Sequence, residues 1–195
     1  DADDSITEDK LEKQVAVMES NEDVDVVYSD CCYISPEGEK FGNASEPLAN
    51  DDSVVDKLFE TSLMPVHASI VRRSAILDVG MFDESRVAQE DWDLWLRLAV
   101  KQHKFQYLPG VLAFYHQEGS NITTNPELMY RRTKHLLDKH VNNPELVKLG
   151  KKRLNDFIAH QSLSLATRAY NNCWWKQSRR YFLKAASSNP KVMNL

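Results

Sequence analysis

The pattern of the chain changes once, near residue 125, and that change restricts what it can fold into. Before it, β-branched and aromatic runs alternate with helical periodicities; from Pro126 onward only helical patterns occur. This predicts a mixed α/β unit over residues 1–125 and an all-helical tail over 126–195. The strongest strand signal is VDVVYSDCCYI, residues 24–34. VHASIVRR (66–73), KFQYL and VLAFYH also read as strands, the last two as a hairpin about a Pro109-Gly110 turn. Helices are expected from Glu8 to Ser20 with Thr7 as cap, and over 52–61, 74–80 and 90–102. Leu11, Val15 and Met18 form the apolar face of the first, and Gly80 stops the third. EDWDLWLRLAVKQ is apolar on most of its circumference, so it should be largely buried. SPEGEKFG (35–42) reads as a turn and 43–52 as a polar loop. Breaks in the tail are expected near Asn142–Pro144 and Asn171–Cys173.

With 42% hydrophobic residues and few Pro and Gly, a packed core is expected. Three cysteines, two of them adjacent at Cys31 and Cys32, make neither an even disulfide framework nor a zinc spacing. They fit a reducing, cytoplasmic setting. No apolar run approaches the ~20 residues that cross a bilayer. The net charge of −5 hides a division: residues 127–195 carry 14 Lys/Arg against 4 Asp/Glu, and the rest is strongly acidic. A basic tail behind an acidic unit points to separate roles, with peripheral contact to anionic lipid among them. The tail carries no recognised nucleic-acid module, so nucleic acid is not an expected partner.

The acidic opening, DADDSITEDKLE, admits several chemistries. Asp1, Asp3, Ser5, Thr7, Asp9 and Glu12 fall at the ligand positions of a calcium loop, but Ile6 occupies the glycine position and Glu8 an aliphatic one. An aspartate-nucleophile phosphatase would need a hydrophobic strand before the pattern and a downstream Lys plus an acidic pair, the last a role into which NDDS (50–53) could be forced. An Asp-x-Asp that holds a divalent cation against a diphosphate is the third reading, with hard oxygen donors suited to Mg²⁺ or Mn²⁺. A solvated acidic loop before a helix is the bland one.

The ordered set of segments resembles family 2 glycosyltransferases of the GT-A fold. DADDSITEDKLEKQV looks like their Asp-x-Asp segment and following helix, and VDVVYSD like the next strand. ASIVRRSAILDVGMFDE (68–84) looks like the acceptor region, and QEDWDLWLRLA (89–99) like the Glu-Asp helix. The resemblance implies the second half of a GT-A domain. The activity it implies is metal-dependent, inverting transfer from a nucleotide-sugar donor to a saccharide, lipid-linked or protein acceptor, in polysaccharide or glycoconjugate synthesis. By the same resemblance Asp3 is the direct metal ligand, and Asp1 assists at the metal or the donor ribose. Asp4 is a supporting group near the diphosphate. Asp91 is the base, with Glu90 beside it; acids are in any case favoured at a helix N-terminus. FYHQEGSNIT (114–123) resembles the closing segment of the catalytic domain but lacks the usual Arg after Tyr115. His116 is thereby a candidate for the metal or diphosphate, and His67 for the acceptor cleft. The nucleotide-binding half that normally precedes an Asp-x-Asp is not in this sequence, so these residues alone are expected to be inactive. A non-catalytic helical interaction module is the competing function.

In the tail, Leu165, Ala166, Ser178, Phe182, Ala185 and Pro190 match one tetratricopeptide-like helix pair, too few repeats for a solenoid. QSRRY (177–181) matches a processive-synthase motif only in part and lies within an amphipathic helix.

Overall fold

The computed structural model describes residues 3–48, 53–84, 89–117 and 125–194. It divides into two units, residues 1–119 and 120–195. The first is an open sheet with helices. In chain order its elements are β1 (Ser5–Ile6), α1 (Lys10–Ser20), β2 (Val24–Ile34), β3 (Lys40–Phe41), α2 (Val54–Glu60), β4 (Ser69–Val71), α3 (Arg73–Asp78), α4 (Glu90–Val100) and β5 (Lys104–His116).

The sheet is organised on β2, whose bounds coincide with the predicted strand. Parallel β5 lies along one edge of it, from Val24 opposite Lys104 to Ile34 opposite His116. The other edge pairs antiparallel with β4 through Val26, Val27 and Tyr28, and with β3 through Tyr33 and Ile34. β1 joins the far side of β5, Ser5 opposite Phe114 and Ile6 opposite Ala113. Flanked on both sides, the β2 residues Val26, Val27, Tyr28 and Cys31 are fully buried, as expected for a strand covered on its faces.

The expected Pro109-Gly110 hairpin is not formed. Residues 104–116 make one strand, and the pair produces a bulge where Ser29 opposes Leu108 but Asp30 opposes Val111. Proline has no N–H for the ladder, and Gly110 takes φ +121°, so the excess backbone leaves the pairing locally. The Asp30 carboxylate closes the gap. It accepts from the Gly110 N–H (2.9 Å), the Tyr107 hydroxyl (2.6 Å) and the Asn43 amide (2.7 Å). Burial pushes Asp30 up, but these three donors outweigh it and hold the carboxyl below its ordinary range. Burial and the Asp30 charge together push the Tyr107 phenol up to about 12, so it stays a donor.

α1 also departs from expectation. It starts at Lys10 and lacks a side-chain cap, because the Thr7 hydroxyl donates to the Asp9 carboxylate instead. Leu11 and Val15 are exposed, and the buried face is Lys10, Gln14 and Met18. The reason is tertiary: Gln14 donates to Ala68 O (2.9 Å), and Lys10 Nζ donates to Gln14 Oε1 (2.7 Å) and Ser69 O (3.2 Å). Burial pushes the Lys10 ammonium below the usual lysine range. The predicted strand over 66–73 is a 3₁₀ turn, Val66–Ala68, followed by the short β4. α2 starts under a Ser53 cap, and α3 ends before Gly80, whose φ is +83°.

The second unit contains α5 (Pro126–His140), α6 (Pro144–Lys148), α7 (Lys151–Asn171), α8 (Trp175–Ser188) and a 3₁₀ turn over Pro190–Asn194. Asn125 and Asn143 cap α5 and α6 with proline at the first turn, a strong start signal in both cases. Small residues let α7 and α8 pack closely. Leu165, Ala166, Ala169, Ser178 and Ala185 are buried, and the Ser178 hydroxyl donates to Ala166 O (3.0 Å). Of the six residues of the expected helix pair, Phe182 is half-buried and Pro190 is exposed; Tyr181 is buried instead. No helix of the described residues is long and apolar enough to cross a membrane.

Candidate functional site

β2 and β5 run parallel, so their carboxyl ends, Ile34 and His116, lie side by side. Open α/β sheets bind ligands outside the carboxyl ends of their strands. Pairing of β1 with the end of β5 brings the chain's acidic opening to that place. The His116 N–H donates to Asp4 Oδ1 (3.0 Å), and His116 Nε2 lies 3.2 Å from the Ser5 hydroxyl. The fold thus joins Asp4 and Ser5 to a histidine more than a hundred residues away.

Asp3 and Asp4 face different surroundings. Asp3 is exposed. The Asp4 side chain is only 3% exposed, and its second oxygen stands 3.1 Å from His67 Nδ1. The other ring nitrogen of His67, Nε2, is 3.3 Å from Cys31 Sγ. Burial pushes His67 below the ordinary histidine range, against the pull of Asp4, so the ring is neutral at pH 7. Burial, with the charges of Asp4 and Cys32, pushes the Cys31 thiol up to about 12. A consistent proton assignment follows: the Cys31 S–H points to Nε2, and the Nδ1 proton faces Asp4. His67 is held from both sides by protein groups. Its ring also packs on Tyr115, with centroids 6.0 Å apart.

Glu90 and Asp91 open α4. Glu90 is exposed, and Asp91 is half-buried and accepts from the Trp92 N–H (2.7 Å). The helix is fixed from within. Trp92 Nε1 donates to Leu58 O (2.8 Å), and Trp95 Nε1 donates to Met64 O (3.1 Å), three residues before His67. Buried Asp93 pairs with Arg97 (2.9 Å). The residue before Glu90, Gln89, has φ +58°. The fold therefore brings together Asp4, His67 and His116, with exposed Asp3 next to Asp4 in the chain, while Glu90 and Asp91 lie in the first turn of α4. Asp1 lies outside the described residues. Sequence reasoning missed Cys31 and Lys10 as neighbours of the site; the partner of Cys31, His67, lies in the Val66–Ala68 turn just before β4, which pairs with β2.

Among the described residues no group of three or more His, Cys, Asp or Glu side chains is disposed to hold a metal ion. Asp3, exposed and next in the chain to Asp4, carries the hard carboxylate oxygens that Mg²⁺ or Mn²⁺ prefer, and the exposed Ser5 hydroxyl lies against half-buried His116. Those ions commonly take one or two protein ligands and complete their shell with phosphate oxygens and water.

Residues 1–162 match the family model described as glycosyltransferase like family 2. The chain belongs to that family. It is 30% identical over 115 residues to an uncharacterized glycosyltransferase of Methanocaldococcus jannaschii, covering 59% of this chain and 39% of the relative. Among solved structures, S. aureus TarS 1–349 superposes with a TM-score of 0.59 at 15% identity, over 96% of this chain and 53% of that one. The same TarS segment in complex with UDP superposes with a TM-score of 0.52 at 13% identity, over 100% and 65%. These likenesses establish the mixed α/β, GT-A-like fold. The chain spans well under half the length of its curated relative.

Proposed function

We propose that this chain forms the acceptor-side part of an inverting nucleotide-sugar glycosyltransferase. The observation that supports the reading is the junction of β1 with the carboxyl end of β5, where Asp4, next in the chain to exposed Asp3, accepts from the His116 N–H in a chain of a glycosyltransferase family. Asp91 is the base. It removes the proton of an acceptor hydroxyl as that oxygen bonds to the anomeric carbon and the bond from that carbon to the diphosphate breaks. The first-turn dipole of α4 favours the ionised form that a base requires. Glu90, exposed next to it, adds negative potential where the sugar gains positive character. Asp1, Asp3 and His116 are the residues that would hold Mg²⁺ or Mn²⁺. When bound, the cation offsets charge on the departing diphosphate. Asp4, buried against His67 and the His116 N–H, orients that end of the site. His67, neutral and fixed, forms one wall of the acceptor cleft. Three free cysteines fit a reducing, cytoplasmic setting.

The test is sugar transfer by the longest natural chain that contains these residues, with a panel of nucleotide sugars. Asp91→Asn should lower kcat by about 10²–10⁴-fold while donor binding persists. Asp3→Ala should weaken donor binding in Mn²⁺ and leave metal-free binding unchanged. Full turnover by Asp91→Asn would remove the base from Asp91.

A further inference from the structure

We propose that the outer face of α8 docks on an anionic lipid bilayer. This goes beyond the transfer reaction and does not depend on it. Trp175 is 58% exposed and Leu183 62%, among the most exposed large apolar side chains described. With Lys176, Arg179 and Arg180 they line one shallow groove. The spacing puts all five on one side of the helix. The opposite side, Ser178, Tyr181 and Ala185, is already buried. Tyr170, also exposed, meets Trp175 edge-on at 5.2 Å and widens the aromatic patch.

The charges decide the occupant. On α5 and α6, Arg131, Lys134 and Lys148 pair with carboxylates on their own helices, Glu127, Asp138 and Glu145. α8 carries no carboxylate, and among the described residues Lys176, Arg179 and Arg180 form no ion pair. Three unneutralised cations around an exposed indole and an exposed leucine suit a surface that is negative outside and apolar just beneath. An indole is favoured at the headgroup level, and the leucine gains by entering the acyl boundary. A nucleic acid strand would use the cations and the indole but would leave Leu183 exposed.

The experiment is co-sedimentation of the 195-residue chain with vesicles of phosphatidylcholine alone, and with about one-third phosphatidylglycerol. Binding is expected only to the anionic vesicles, and it should weaken between about 0.1 M and 0.5 M salt. Lys176→Gln, Arg179→Gln and Arg180→Gln together should weaken it about a hundredfold, at about fivefold per cation. Leu183→Ala should weaken it at high salt as well. Arg131→Gln with Lys134→Gln should change it little. Circular dichroism establishes that each variant is folded. Equal binding to both vesicle types, no binding to either, or equal loss from the α5 variant would overturn the proposal. So would vesicle binding that survives the triple substitution, or capture of single-stranded DNA in place of vesicles.

Discussion

The two ends of the β2–β5 pair each place a histidine between two polar side chains, and they do so by different means. At the amino end His103 stands 3.0 Å from Asp25 and 3.1 Å from Asp78. Lys101 and Lys104 add further pairs with Asp78 and Asp23. This is a partly exposed clamp tying α3 to the strands. At the carboxyl end His67 has one carboxylate and one thiol, both buried, and a neutral ring satisfies both. The solvated end works by charge and holds elements together. The buried end works by proton placement, which fixes the His67 ring between Asp4 and Cys31.

The largest effect should come from the buried end. Asp4→Ala removes a buried partner from His67 and the His116 N–H, and should cost about 3 kcal/mol in urea unfolding, nearly independent of salt. Between the two ends lies Asp30. Its folded pKa is lowered, so its contribution is whole above the ordinary value of 3.8 and is lost as pH falls through the lower folded value. Asp30→Asn should therefore cost about 1–2 kcal/mol at neutral pH and flatten the acid limb of the stability profile. A limb of unchanged slope would mean that other carboxylates set it. The smallest effect belongs to the solvated end: His103→Gln should cost about 1 kcal/mol or less, and this cost should shrink in 0.5 M salt, on the order of a screening length far shorter than in dilute buffer. Matching salt responses for Asp4→Ala and His103→Gln would erase the distinction between the ends.

Some of this was readable in the sequence and some was not, for physical reasons. β2 was legible to the residue because a run such as VDVVYSDCCYI has no competing helical period. α4 was legible because its apolar residues leave little polar circumference, and Asn-Pro starts made α5 and α6 plain. Lys10 and Gln14 could not be read as buried, since their partners are the carbonyls of Ala68 and Ser69, nearly sixty residues away. Pro109-Gly110 was misread because a bulge and a hairpin turn ask for the same residues; only the partner strand tells them apart. At the site, Asp3, Asp4, His67 and His116 were named from motif resemblance, but the Cys31–His67–Asp4 arrangement joins three distant segments and has no local signature.

The bulge opposite Asp30 carries one more consequence. From Ser29 to Cys31, β2 advances two residues while β5 advances from Leu108 to Ala113. β5 therefore inserts three extra residues, an odd number, and odd insertions reverse the parity of a strand. The bulge acts as a phase shifter: β5 residues that would follow one face of the sheet emerge on the other beyond it. Tyr115 and His116 owe their sides to that half-period, so changing the length of the Pro109-Gly110 segment by one residue would matter more than replacing either residue. Drift in this segment is then constrained in length before it is constrained in composition.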